Sequence, residues 1–224
     1  MLLYRIRLNP RIREARRDLS DPYQMHATLC RAFSAPDRRC PAGEFLWRLE
    51  PDSTSEELPC VLVQSRGEAN WSAINVPGWL ASEDPAIDLR NRLRIDALTV
   101  GRRFRFRLRA NPCKTHHGKR TGLVERGDQE IWLARKGEMH GFALPTFAEA
   151  ARADLCTSRV DVSVTQEQML RGRQHAGNGI RVYSVLYDGI LSVTDPGAFT
   201  EAIAEGIGHG KSLGLGLLSV APIS

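Results

Sequence analysis

Tyr4-Arg5-Ile6-Arg7-Leu8-Asn9-Pro10 returns 102 residues later as Phe106-Arg107-Leu108-Arg109-Ala110-Asn111-Pro112. In both copies apolar residues alternate with arginine, the period-two pattern of a strand that buries one face and shows a basic one. Asn-Pro then follows, a turn signal that stops strand pairing. The offset is close to half of the 224-residue chain. The pair therefore reads as the first strand of two duplicated units.

Downstream of the first copy, Asp21-Pro22 sets an N-cap before a proline at the first helical position and predicts a helix to about Phe33. Met25, Leu29 and Phe33 form its apolar stripe. Strands are expected over 44–50 and 59–65, and the stretch 71–94 has no clear period. Around the second copy the pattern gives a strand over 102–110, a helix over 128–136, and strands over 160–164 and 180–187. Asp188-Gly189 is expected to turn the chain back into a strand over 190–194. A helix over 196–205 ends at Gly206, and a strand over 217–220 closes the chain. This order predicts an α+β fold of two tandem ferredoxin-like (RRM-like) βαββαβ units. The first covers 1–92 and the second 102–224, with a linker over 93–101.

With 42% hydrophobic and 25% charged residues the chain can build a core, which excludes wholesale disorder. Its longest charge-free stretches, 69–82 with 14 residues and 212–224 with 13, fall short of the ~20 that span a bilayer. The apolar start is too short for a signal peptide. Five cysteines without a Cys-x-x-Cys pair suit reduced thiols, so a cytoplasmic protein with no membrane partner is expected. The net charge is +5, and 27 of the 31 basic residues are arginine. Arginine forks suit phosphates and guanine edges, but a GC-rich codon bias explains the ratio equally well, so placement has to decide. Cys113-x-x-His116 with His117 is half of a zinc site with no second half at ligand spacing, so no metal is expected.

Gly206-Ile207-Gly208-His209-Gly210-Lys211-Ser212-Leu213-Gly214-Leu215-Gly216 contains a Gly-Lys-Ser that invites a phosphate-loop reading. That reading fails, because the required earlier glycine is Glu205 and the loop follows a helix instead of a strand. No nucleotide cofactor is expected. Two uses remain open for the glycines: baring backbone N–H groups beside Lys211 to meet an anion, and letting the loop lie flat against a neighbour.

The glycine loop, with Asp18 to Phe33, Leu46-Trp47-Arg48-Leu49-Glu50, Arg103 to Pro112, Gly118-Lys119-Arg120 and Gly214 to Pro222, resembles the CRISPR-associated endoribonucleases that process CRISPR transcripts, and among them the CasE type. The resemblance implies metal-independent cleavage at the base of the repeat hairpin, with no cofactor. It also implies retention of the product beside the other protein subunits of the Cascade complex. It assigns catalysis to His26 with Tyr23 as its partner; the two are three apart on one helix and share a surface. Arg31 stands where relatives can carry lysine, and it can stabilise phosphate charge without trading a proton. Arg107, Arg109, Lys119, Arg120, Arg171, Arg173, Gly208, His209, Gly210, Lys211 and Ser212 are the expected RNA contacts, with Arg171 and Arg173 in a basic hairpin that enters the RNA groove. His116, His117, His140 and His175 read as surface residues. The alternative function is a stem-loop-binding subunit without cleavage activity.

Overall fold

The computed structural model of the chain describes residues 1–35, 38–51, 57–117, 119–147, 159–173 and 179–223. The two arginine-alternating segments are strands in different sheets. β1 (Leu2–Leu8) buries Tyr4, Ile6 and Leu8 and turns Arg5 outward. It leads through α1 (Arg13–Ser20) and α2 (Pro22–Cys30) into β2 (Phe45–Leu49) and β3 (Cys60–Ser65). β4 (Leu80–Glu83) and the two-residue β5 (Ile87–Asp88) complete an antiparallel sheet in the order β2-β3-β1-β4, with β5 also paired to β1. Helix α3 (Leu89–Leu93) then leads to β6 (Arg103–Ala110), the second arginine strand, which buries Phe104, Phe106 and Leu108.

β7 (Cys113–His116) and β8 (Lys119–Gly122) form a small hairpin ahead of α4 (Arg126–Met139). Three two-residue strands follow, β9 (Phe142–Ala143), β10 (Thr146–Phe147) and β11 (Arg159–Val160). The chain then makes a long antiparallel pair, β12 (Val162–Arg173) with β13 (Gly179–Val193), before α5 (Pro196–Glu205) and β14 (Leu218–Pro222). The second sheet runs β12-β13-β6-β14, with β9 on the end of β13. The strand orders of the two sheets are equivalent, with each arginine strand in the interior.

The helix after β1 is shorter than its apolar stripe suggested. The Asp21 side chain caps it by accepting from the Tyr23 N–H, and it passes at Cys30 into a 3₁₀ turn over Arg31–Phe33. Helix α1 had no sequence signal, since REARRDLS has no apolar stripe and Ile12 makes no side-chain cap. It docks through a buried carboxylate: Asp18 accepts from Arg17 and from Trp79 Nε1 at 2.9 Å. The unassigned stretch 71–94 holds a 3₁₀ turn (Trp71–Ile74), β4, β5 and α3. Leu89 and Leu93 already pack into the core of the second sheet.

One expectation is overturned. Asp188-Gly189 makes no turn, and β13 passes straight through it for 15 residues. Gly189 answers a packing demand, since a Cβ there would sit 3.1 Å from Phe106 Cε1 and 3.3 Å from the Asp161 carbonyl. Asp188 meets Arg107 Nε across the strands at 2.7 Å. At the turn end of the same hairpin, Arg171 and Arg173 lie on β12 itself, paired with Arg181 and Gly179. Gln174 and His175 lie outside the described residues, as does Gly118.

A buried arginine closes the seam between the sheets. Arg48 of β2 is 1% exposed. Its guanidinium donates to the carbonyls of Arg107 (3.0 Å) and Leu217 (3.1 Å), to Ser219 Oγ (2.7 Å) and to Glu50 (2.7 Å). Glu50 also receives Arg107 Nη1 at 2.9 Å. Nearby, Gln64 Nε2 donates to the Ile203 carbonyl at 2.6 Å, and Leu46, Leu62 and Leu217 form a small apolar cluster. Four hydrogen bonds from one fork, shared between the end of β2 and the second sheet, hold the sheets together, a task a lysine could not perform.

Candidate active site

His26 lies on the second turn of α2, beside the Phe45 ring at 5.0 Å between centroids. Its Nδ1 is buried with no hydrogen-bond partner, which leaves Nε2 as the nitrogen open to a substrate. Burial pulls the imidazole below its ordinary pKa, because desolvation penalises the charged form. The shift favours the neutral ring, the form that can accept a proton.

The cavity beside it, 660 Å³ in volume, is lined by His26, Phe45 and the 39–44 loop on one side and by Lys211 and Ser212 on the other. Two distant parts of the sequence thus form one site. The glycine loop reaches α2 because its glycines allow backbone paths that a side chain would block. Gly210 and Gly214 flank the 3₁₀ turn Lys211–Leu213 at φ 84° and 76°. A Cβ on Gly214 would lie 2.9 Å from two ring carbons of Trp47. The packing use of the glycines is what the structure displays, and it sets Lys211 at the cavity wall.

Tyr23 lies one turn before His26 and does not line this cavity. Its Cβ packs on Gly172, where an added Cβ would come within 3.3 Å of it, so the turn end of the long hairpin rests on the N-terminus of the His26 helix. Arg31 faces elsewhere. Its guanidinium donates to the Ile74 carbonyl at 2.8 Å and to Thr28 Oγ1 at 3.3 Å, tying α2 to the Trp71–Ile74 turn.

The remaining predicted contacts divide into two groups. Arg107 is engaged in the seam with Glu50 and Asp188. Arg109, 7% exposed, donates through Nη2 to Gln166, while its Nη1 is buried without a partner. Burial, with the charge of Arg48 added, lowers its pKa. Arg109 and the exposed Arg171 line a second cavity of 530 Å³ between α2 and β12. The other group surrounds the outer side of the glycine loop. Exposed His209 is held below the usual imidazole value by partial burial and by Arg120, Lys136 and Lys211. His140 is lowered likewise by burial, with Lys136 and Lys211 among the added causes. A Cβ on Gly208 would lie 3.4 Å from the Trp132 ring, over which Lys136 sits. The backbones of Lys119 and Arg173 lie in β8 and β12, and their side chains lie outside what the structure describes.

Arg39, Glu44 and Phe45 were not legible as site residues. They enter through the fold alone, since the loop before β2 folds over α2 and no local pattern marks it. Cys30, Cys40, Cys60 and Cys113 are free thiols, and Cys156 lies outside the described residues. Among the described residues no three His, Cys, Asp or Glu side chains converge as metal ligands, and no helix is long and apolar enough to cross a membrane.

A family model described as "CRISPR associated protein" matches residues 1–222. CRISPR-associated endoribonuclease Cse3 of Thermus thermophilus is 40% identical, over 99% of this chain and all of that one. Cascade subunit CasE of Escherichia coli K12 is 28% identical, over 91% of this chain and 93% of that one. The structure of Thermus thermophilus Cse3 bound to an RNA representing a pre-cleavage complex superposes with a TM-score of 0.82 at 38% identity. That superposition covers 99% of this chain and 98% of the solved one. With a sheet pair, a glycine loop and a histidine helix in one arrangement along its whole length, the chain belongs to the Cse3/CasE family of CRISPR-associated endoribonucleases.

Proposed function

We propose that the protein cleaves CRISPR precursor RNA at the base of its repeat hairpin and holds the product stem-loop as a subunit of a Cascade-type complex. The observation that carries this reading is a neutral imidazole with its open nitrogen at a cavity that a lysine of the glycine loop also lines. His26 takes the proton from a ribose 2′-OH. The O2′–P bond forms as the P–O5′ bond breaks, leaving a 2′,3′-cyclic phosphate. O5′ leaves as a hydroxyl with a proton from water, and the imidazolium returns its own to solvent, which closes the proton count. The reaction asks only for this transfer and for donors to the charged phosphate, so it needs no metal. The family resemblance gives Tyr23 and, more weakly, Arg31 as such donors, but neither lines the His26 cavity and the Arg31 guanidinium is engaged by the Ile74 carbonyl and Thr28, so the cation at the phosphate is left open.

Two ferredoxin-like units joined through 93–101 provide the frame, with Arg109, Lys119, Arg120, Arg171, Arg173 and the loop residues Gly208 to Ser212 as the RNA surface. Arg107 joins that set through the family resemblance alone, since its guanidinium is engaged by Glu50 and Asp188. The relative's RNA-bound structure and the Cascade name of the other relative support the substrate and the partner complex.

The test is a single-turnover assay on the repeat hairpin in EDTA. Wild type is expected to cleave, and His26→Ala to slow cleavage by about 10²–10⁴-fold with nearly unchanged affinity. Blocking the 2′-OH at the cut should abolish the reaction. Tight binding by wild type with no cleavage would favour the non-catalytic stem-loop subunit instead.

A further inference from the structure

We propose that Lys211 is the catalytic cation of this site, the group that neutralises the scissile phosphate, and that Arg31 has no part in the chemistry. The proposal rests on the cleavage reading above and identifies a residue that the reading leaves open.

Three observations carry it. Arg31, the cation nearest to His26 along the helix, has its fork directed at the Ile74 carbonyl and Thr28 Oγ1, and it does not line the His26 cavity. Lys211 does line it, and its ammonium has no hydrogen-bond or ion-pair partner among the described residues. The third observation concerns rigidity. Lys211 opens a 3₁₀ turn whose neighbours are locked in place: Gly214 lies against Trp47, Leu213 is 6% exposed, and Gly216 donates to the Arg109 carbonyl at 2.7 Å. A charge held on a fixed loop needs no reorganisation as the phosphate gains charge, which is what makes such a group effective in the transition state.

Arg39 also lines the cavity, but from an exposed loop without regular structure on its outer wall. Lys211 keeps its protons throughout. It donates one N–H to a non-bridging oxygen while the O2′–P bond forms and the P–O5′ bond breaks, so the proton count of the reaction is unchanged.

The experiment compares Lys211→Met, Lys211→Arg, Arg31→Met and Arg39→Met in the full chain, on the repeat hairpin in EDTA. It measures cleavage at saturating protein, hairpin affinity at fixed salt, and melting temperature. Lys211→Met is expected to lose about 10²–10³ in rate, the usual effect of removing one oxyanion donor, at an unchanged melting temperature. Lys211→Arg should recover at least about tenfold of that loss, because it restores the charge. Arg31→Met should cleave within about threefold of wild type and melt earlier, since it loses an anchor and not a catalytic group. Near wild-type cleavage by Lys211→Met would overturn the proposal. So would an equal or larger rate loss in Arg31→Met or Arg39→Met. Should His26→Ala also cleave normally, the cleavage site itself is wrongly placed, and that failure is separate from this one.

Discussion

Replacing Arg48 by alanine removes the guanidinium that joins the two sheets. It strips donors from the carbonyls of Arg107 and Leu217, from Ser219 Oγ and from Glu50, in a place with almost no access to water. Breaking a buried charge pair by removing one partner costs about 3–5 kcal/mol. Here Glu50 keeps Arg107 at 2.9 Å, so its charge is not left alone and the lower part of that range applies, about 3–4 kcal/mol. For a chain of this length each kcal/mol moves the midpoint by about 2–4 °C, giving a fall of about 6–16 °C. Urea unfolding followed by both tryptophan fluorescence and far-ultraviolet circular dichroism is the informative assay. Trp47, Trp71 and Trp79 pack in or against the core of the first sheet, so fluorescence reports mainly that half. In wild type the two signals should change together. In Arg48→Ala the fluorescence transition should separate from the dichroism transition. Adding Glu50→Gln should cost less than its single effect, with a coupling above about 1 kcal/mol. A loss below about 1 kcal/mol with coincident transitions would show that Arg48 does not hold the seam.

Two further outcomes follow from the site. Burial lowers the His26 pKa, so the imidazole stays neutral as pH falls below 6.5, and the acid limb of the cleavage pH profile should lie below that value. His209 is shifted in the same direction, so His209→Gln should leave the limb in place; a limb above pH 6.5 would contradict a desolvated base. The same shift gives a stability contribution present above pH 6.5 and lost as pH falls through the lowered folded value, which unfolding at pH 7 and pH 5 in His26→Gln and wild type will detect. Gly214→Ala places a Cβ 2.9 Å from the Trp47 ring at φ 76°, and the strain plus overpacking should cost about 2–5 kcal/mol by thermal melt. Cleavage should drop with it, and a stable, active variant would mean that the loop has slack.

The repeated strand was legible because burying one face of a sheet leaves a period-two trace that survives any neighbour. Tyr4, Ile6 and Leu8, and then Phe104, Phe106 and Leu108, are buried as that period requires. The Asp21 cap was legible for a similar reason: it acts on a backbone N–H two residues away, so the cause lies inside a short window. Asp188-Gly189 deceived because the same dipeptide satisfies a different demand. Close approach to Phe106 and pairing with Arg107 are set by residues some eighty positions away. Helix α1 left no trace, since its docking depends on Asp18 reaching Trp79 and not on an apolar stripe. His26 could be singled out as a histidine beside an apolar face, but its cavity could not. Phe45 and Lys211 come from two other segments, and only the packed structure makes them neighbours.

That assembly explains why the site lies at the seam. The helix that carries His26 belongs to the first sheet, while the glycine loop and the long hairpin belong to the second. Arg48 grips the Leu217 carbonyl, one residue beyond Gly216, and Trp47 beside it on β2 receives Gly214. Near the turn end of the hairpin, Gly172 packs so close to Asp21 and Tyr23, the cap and the first turn of the His26 helix, that an added Cβ would lie 3.3 Å from each. Any force applied to the hairpin arms therefore reaches the N-terminus of α2 through a contact with no spare volume. Under the reading proposed above, a stem held by the hairpin and a phosphate held by Lys211 are both fixed relative to His26 by the same few side chains. A scaffold of this kind gains rate by holding geometry, since misplacement by about 1 Å can cost about 10²-fold in a reaction that depends on alignment. The buried Arg48, Trp47 and Gly214 each remove one way in which the two halves of the site could drift apart.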